Sequence, residues 1–112
     1  GEQTRDFVFV GNVVEANLRA VASETAVGRA INIGCGLAIT VRELYGHLAE
    51  ALGSSSAPSH GPDRPGDVRD SLASIDLARK TLGYEARVSF EEGLRRTCAW
   101  FREHPEAARR PA

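Results

Sequence analysis

Phe7-Val8-Phe9-Val10 is a run of aromatic and β-branched residues, which predicts a short buried strand. Gly11 breaks it, and Asn12 with Glu15 three residues on has the form of an N-cap and capping-box pair. The helix that follows is expected over Val13 to Ala22, with apolar residues at Val13, Val14, Ala16, Leu18, Ala20, Val21 and Ala22. These cover more than one stripe, so the helix expects burial on two sides. Ala30-Ile31-Asn32-Ile33 predicts a second short strand, closed by Gly34-Cys35-Gly36. Thr40 and Glu43 form another capping box and open an amphipathic helix through Val41, Leu44, Tyr45, Leu48, Ala49 and Leu52, with Gly53 placed for its C-terminal cap.

From Ser54 to Asp67 the chain turns to Ser, Pro, Gly, His and charge, which predicts an extended loop with a short strand around Pro58 to His60. Ser74 is placed to cap a third helix, Ile75 to Leu82, stopped by Gly83. Ser89 and Glu92 make a third capping box. Phe90, Leu94, Cys98 and Phe101 are expected to line one face of the last helix, which ends at His104-Pro105. The polar tail after Glu106 is expected to fray. Four helices and two or three short strands in irregular alternation predict a small α+β unit, a single domain over 1–112, rather than a wound parallel sheet.

Composition narrows the classes of function. Of 112 residues, 42% are hydrophobic and 26% charged, the balance of an ordinary globular domain. Fourteen basic residues against fifteen acidic ones leave a net charge of -1, so no overall field favours nucleic acid or an anionic membrane. Apolar stretches are too short to span a bilayer and no leader is visible, so the expected location is the cytoplasm. Cys35 and Cys98 stand alone, without CxxC or clustered His, and are expected to be reduced thiols with no metal site.

No GxSxG turn, paired-His metal motif or P-loop is present, and Tyr45 and Tyr84 are followed four places on by Ala49 and Val88 rather than Lys. No catalytic residue is therefore assigned. Gly34-Cys35-Gly36 invites a dinucleotide reading, but Ile39 occupies the third glycine position, and a tight turn is the preferred reading. Two arginine sites remain, Arg5 beside the first strand and Arg64 in Arg64-Pro65-Gly66-Asp67. Guanidinium forks match phosphate oxygens, so two from different segments suit a diphosphate, and Asp67 suits ribose hydroxyls. By residue type alone each arginine is more often a solvated or salt-bridged surface group.

Gly1 to Val10, Val13-Val14-Glu15-Ala16-Asn17 and Ile31 to Gly36, then Arg64-Pro65-Gly66-Asp67, Leu82-Gly83-Tyr84 and Phe90 to Leu94, resemble in order and spacing the last third of extended short-chain dehydrogenase/reductases that act on nucleotide sugars. UDP-glucose 4-epimerase and its relatives look nearest, and the likeness runs from Gly1 to about His104. The resemblance implies that Arg5 and Arg64 contact the diphosphate of a UDP-sugar, Asp67 its ribose, and that Val41 lines the uracil pocket. It also implies NAD in the intact parent and none in this chain, since the Rossmann half and the Tyr-x-x-x-Lys pair have no counterpart here. Asn12 departs from the family's usual aspartate, Phe9 from a frequent His or Tyr, and Ser71 from an aromatic residue found in some epimerases.

The expected role is the substrate-binding part of an NAD-dependent epimerase or dehydratase, not catalytic by itself. A free-standing binding or interaction module of the same fold is the alternative, and an unrelated small structural domain a third reading. UDP-sugar binding is expected to be weak in isolation. The Val13–Ala22 helix, which in the resembled enzymes packs between this segment and the Rossmann half, is expected to drive homo-oligomerisation.

Overall fold

Among residues 1–108, which the computed structural model describes, the chain forms four α-helices and a two-stranded antiparallel sheet: β1 (Thr4–Arg5), α1 (Val10–Val21), β2 (Ile39–Thr40), α2 (Val41–Leu52), α3 (Asp76–Leu82) and α4 (Phe90–Glu103). The unit is small and α+β, as the pattern predicts. Part of the tail after Glu106 lies outside the described residues.

Helix boundaries follow the caps where the cap is complete. Thr40 Oγ1 accepts from the Glu43 amide at 3.0 Å, and the Glu43 carboxylate accepts from the Thr40 amide at 2.8 Å, so α2 starts at Val41. That amide, and then the Thr40 hydroxyl, hold the Glu43 carboxyl below its usual range. Gly53 at φ +63° ends α2, and Gly83 at φ +57° ends α3, both in the left-handed region that glycine enters at little cost. In α4 only half of the predicted box forms. Ser89 caps the Glu92 amide, while the Glu92 carboxylate is taken by Arg95 and then Arg96, which hold its pKa at about 2. Ser74 does not cap α3. Ile75 occupies the N-cap, and the Ser74 hydroxyl lies 3.4 Å from the Asp76 carboxylate instead.

Neither predicted apolar strand is a strand here. Phe9 is extended, at φ -70° and ψ 137°, but it is the N-cap of α1, which starts at Val10. Ala30–Ile33 and Pro58–His60 are also irregular. A strand needs a neighbour for its N–H and C=O groups, and among the described residues the only sheet pairs β1 with β2. The apolar pattern still reports burial: Ile31 and Ile33 pack against the core while Ala30 and Asn32 are exposed.

Asn12, expected to cap α1, lies inside its first turn and is 3% exposed. Its amide nitrogen donates to the Val88 carbonyl at 2.8 Å, and its oxygen accepts from the Val88 amide at 3.1 Å. The side chain thus acts as a one-residue strand partner, tying α1 to the segment before α4. The core is built on small residues, with Ala16 and Ala20 of α1 against Ala78 and Leu82 of α3 and the buried Tyr84. Arg19, Ser23 and Thr25 donate to the carbonyls of Thr81, Leu82 and Gly83, supplying partners that the C-terminus of the seven-residue α3 lacks. On the other side, the buried Phe90 of α4 meets His47 of α2 edge-on at 5.4 Å and Phe7 at 6.1 Å. Gly93 lets α4 close on Phe9, since a Cβ there would stand 2.7 Å from the Phe9 Cβ. Phe101 is not on the buried face. It is exposed beside Trp100, whereas Phe90 and Cys98 are buried and Leu94 is half-buried.

Much of α1 is uncovered. Val10, Val14, Leu18 and Val21, spaced to form one stripe, are 67%, 51%, 64% and 89% exposed. The radius of gyration is 16.5 Å, against about 13 Å for a self-contained domain of this length. The accessible surface is 8277 Å², against about 6,000 Å² for a folded monomer of this mass. The exposed loop over 54–69 and the bare helix face both contribute to the excess.

The geometry at Asn12 predicts a specific pH response. Asn12→Asp removes the donor to the Val88 carbonyl and buries a carboxyl, which should cost about 1–3 kcal/mol at neutral pH. Burial beside that carbonyl raises the folded-state pKa of the new carboxyl above its unfolded value. The penalty is therefore absent below the unfolded pKa and grows as pH rises towards the folded one. Denaturant melts at acid and neutral pH check this, and equal losses at both would contradict it.

Candidate functional site

Three segments converge on β1. On one side Thr4 and Arg5 pair with Thr40 and Ile39 of β2. The pairing continues into the start of α2, where the Val41 amide donates to the Gln3 carbonyl at 3.1 Å and the Arg42 amide to the Gly1 carbonyl at 2.9 Å. These bonds satisfy two of the helix's unpaired N-terminal donors. On the other side the Thr4 amide donates to the Arg69 carbonyl at 2.8 Å, and the Ser71 amide to the Thr4 carbonyl at 3.2 Å. The Thr4 hydroxyl adds a bond to the Asp70 carboxylate at 2.8 Å. The loop after α2 is thereby returned to the sheet.

Arg5 stands at this junction, its side chain partly buried. Its Nη1 donates to the Thr4 carbonyl at 2.7 Å and the Arg69 carbonyl at 3.3 Å, and its Nη2 to the Asp67 carboxylate at 2.7 Å. Asp67 closes a turn: its amide donates to the Arg64 carbonyl at 3.1 Å, with Pro65 and Gly66 between and Gly66 at φ +81°. A type II turn has this arrangement, with proline setting the first corner and glycine taking the second. Of the four residues singled out in the sequence, the structure joins Arg5 and Asp67 directly and sets Arg64 across one turn from them. Arg64 is exposed, and among the described residues it forms no ion pair. Val41 is half-buried at the first position of α2, next to β2.

Asp6, one residue along, was not singled out in the sequence. Its carboxylate accepts from the Cys35 amide at 2.8 Å and the Gly36 amide at 3.0 Å. Gly34 is buried, and a Cβ there would collide with the Asp6 carboxylate, so only glycine fits; Gly36 has φ +68°. The buried Tyr84 hydroxyl donates to the Gly34 carbonyl at 2.8 Å. Burial, then Cys35 and Asp6, push the tyrosine's pKa up, so it stays a neutral donor. Gly34-Cys35-Gly36 is thus a tight turn clamped from two sides. Its amides are already taken by a carboxylate, which does not fit a dinucleotide pyrophosphate. The only signal for Asp6 in the sequence was its place beside Arg5.

Burial, then the Asp6 charge, push the Cys35 thiol's pKa up. Cys35 and Cys98 are both free. Among the described residues, no three His, Cys, Asp or Glu side chains cluster as a metal site needs, and no helix is long and apolar enough to cross a membrane.

Comparison with known proteins places this corner in context. The family profile for GDP-mannose 4,6 dehydratase matches residues 1–97. The chain belongs to this family. Its likeness within the dehydratase family is to the C-terminal part of extended short-chain dehydrogenase/reductase epimerases. It is 38% identical over 102 residues to the UDP-glucose 4-epimerase of Mycolicibacterium smegmatis, covering 91% of this chain and 32% of that protein. It is also similar to the crystal structure of UDP-glucose 4-epimerase with UDP-glucose from Thermotoga maritima, at a TM-score of 0.87 and 41% identity over 94% of this chain and 33% of that one. The Bordetella bronchiseptica enzyme WbmF, in complex with NADH, matches at a TM-score of 0.80 and 32% identity over 96% of this chain and 32% of that one. The chain spans about a third of the length of these relatives.

The clamp on the glycine turn yields a measurable expectation. Asp6→Ala should destabilise the chain by about 1.5–3 kcal/mol, the usual range for hydrogen bonds to a charged group. Hydrogen exchange should accelerate at the Cys35 and Gly36 amides before other sites. Unchanged exchange at those two amides would show that Asp6 does not hold the turn.

Proposed function

We propose that this chain is the nucleotide-sugar-binding part of an NAD-dependent nucleotide-sugar epimerase or dehydratase, and is not catalytic by itself. The observation that carries the reading is the meeting of Arg5 with the Arg64–Asp67 turn, in a chain similar to an epimerase whose structure holds UDP-glucose. In this reading Arg5 and Arg64 grip the diphosphate, Asp67 contacts the ribose and Val41 forms an apolar wall for the uracil. The nucleotide is the remote handle of the substrate, and binding energy gained there orients the sugar for reaction elsewhere. Hydride chemistry is what NAD supplies, and it belongs to the part of the parent that this chain does not span. The parent's compartment is the cytoplasm.

The bare stripe of α1 supports a second element of the proposal. In the parent, the remainder of the enzyme covers this face; in the isolated chain, a second copy does so. The accessible surface exceeds that of an ordinary monomer of this mass by about 2,300 Å², and the four exposed apolar side chains of this stripe contribute to it. A few hundred Å² of apolar surface is worth several kcal/mol on re-burial, at about 25 cal/mol per Å².

Titration of UDP-glucose into the 112-residue chain, followed by NMR, tests the first element. Amide shifts are expected at Arg5, Val41 and Arg64, with a dissociation constant of roughly millimolar or weaker, about 4 kcal/mol of binding. The loop must be ordered on binding and half of the cleft wall is missing. Shifts scattered elsewhere, or none at saturation, would overturn the site. Turnover of the sugar nucleotide with added NAD, above a heat-killed control, would overturn its non-catalytic character.

Sedimentation tests the second. A self-associated species is expected at micromolar concentration, weakened by Leu18→Glu or Val21→Glu. Both side chains are exposed in the single chain, so these changes should leave its own stability nearly intact. A monomer throughout that range would refute the idea.

A further inference from the structure

The hydrogen bonds of Arg5 give it more than a contact with a diphosphate, and the role they imply for Asp67 rests on the nucleotide-binding function proposed for this corner. A guanidinium carries five N–H donors, on Nε, Nη1 and Nη2. Both Nη1 donors are occupied by the Thr4 and Arg69 carbonyls, and one Nη2 donor by the Asp67 carboxylate. Among the described residues the other two, the Nε donor and the second Nη2 donor, carry no hydrogen bond, and their nitrogens share one edge of the planar group. Two parallel donors of this kind are what a phosphate takes bidentately.

We infer that Asp67 is a positioning residue for Arg5, and that their ion pair sets the loop and the phosphate-binding edge together. Three acceptors from three directions fix the guanidinium plane. The Thr4 carbonyl belongs to β1, the Arg69 carbonyl to the returning loop and the Asp67 carboxylate to the Arg64–Asp67 turn. The group is therefore oriented before a ligand arrives, which lowers the ordering cost of binding. Two of these bonds, to the Arg69 carbonyl and the Asp67 carboxylate, tether a loop whose residues 52–72 are all exposed and whose other attachments near the sheet are the Thr4 backbone pair and the Thr4–Asp70 bond. Lysine cannot replace arginine here. It has three donors on one nitrogen and no planar fork to divide between protein and phosphate.

Two measurements on the 112-residue chain separate this role from a simple ribose contact. In the first, hydrogen exchange is followed without ligand at the Thr4 and Ser71 amides, which bond across β1 and the loop. Asp67→Ala and Arg5→Lys should each reduce protection there by roughly tenfold, while Asp67→Asn, which keeps an acceptor oxygen, should lose less. Unchanged protection in both Asp67→Ala and Arg5→Lys would overturn the tether. In the second, saturation-transfer NMR compares uridine with UDP. If Asp67 acts through Arg5 as well as on the ribose, Asp67→Ala should weaken UDP by roughly tenfold more than it weakens uridine. Equal losses for both ligands would confine Asp67 to its ribose contact and overturn the inference alone. If the unsubstituted chain binds neither ligand, the nucleotide reading itself falls, and the exchange data still decide whether the ion pair holds the loop.

Discussion

The Thr4 and Arg5 backbone is hydrogen-bonded on both of its edges. On one edge it pairs with the residues leading into α2, and on the other with the end of the long loop. Every residue proposed to touch a nucleotide is placed through these few bonds. Val41 follows β2 directly, Arg5 is in β1, and the Arg64–Asp67 turn hangs from the loop that returns beside Thr4. Asp6, the next residue, extends the same device to the glycine turn by accepting two of its amides. Without the central strand the helices would retain their caps, but the candidate site would have no shape.

The packing around this strand is economical in a way that explains the sequence's many small residues. Alanines at 16 and 78 let α1 and α3 meet closely, and glycines at 34 and 93 let Asp6 and Phe9 approach the backbone. A chain of this length can bury only a modest core. Here the core lies between α1 and α3, with a second contact between α2 and α4. The apolar face of α1 that remains open is therefore a property of the unit. Its opposite face is already occupied by α3, and no further element among the described residues reaches across.

Specific hydrogen bonds also account for one departure from the family pattern. Asn12 both donates to and accepts from Val88, which a carboxylate cannot do. The residue is neither the helix cap that its position suggests nor a surface acid. It is the link that sets α1 against the approach to α4.

The four helices, their order and most of their ends were legible in the sequence, because a helix satisfies its backbone internally and marks its limits with local signals such as Thr40, Glu43, Gly53 and Gly83. The roles proposed for Arg5, Arg64 and Asp67 came from motifs in a familiar order. Strands were not, since the apolar runs at Phe7–Val10 and Ala30–Ile33 describe burial, whereas a strand exists only where another backbone lies alongside. Nor could local pattern reveal that Asp6 closes on Cys35 and Gly36, that Asn12 reaches Val88, or that Arg5 divides its donors between two carbonyls and Asp67. Those contacts join residues up to 76 positions apart. Residue type and local spacing determined the helices and the donor and acceptor groups this chain has to offer. Only the tertiary structure decided which donors meet which acceptors, because such bonds depend on where distant segments are brought to rest.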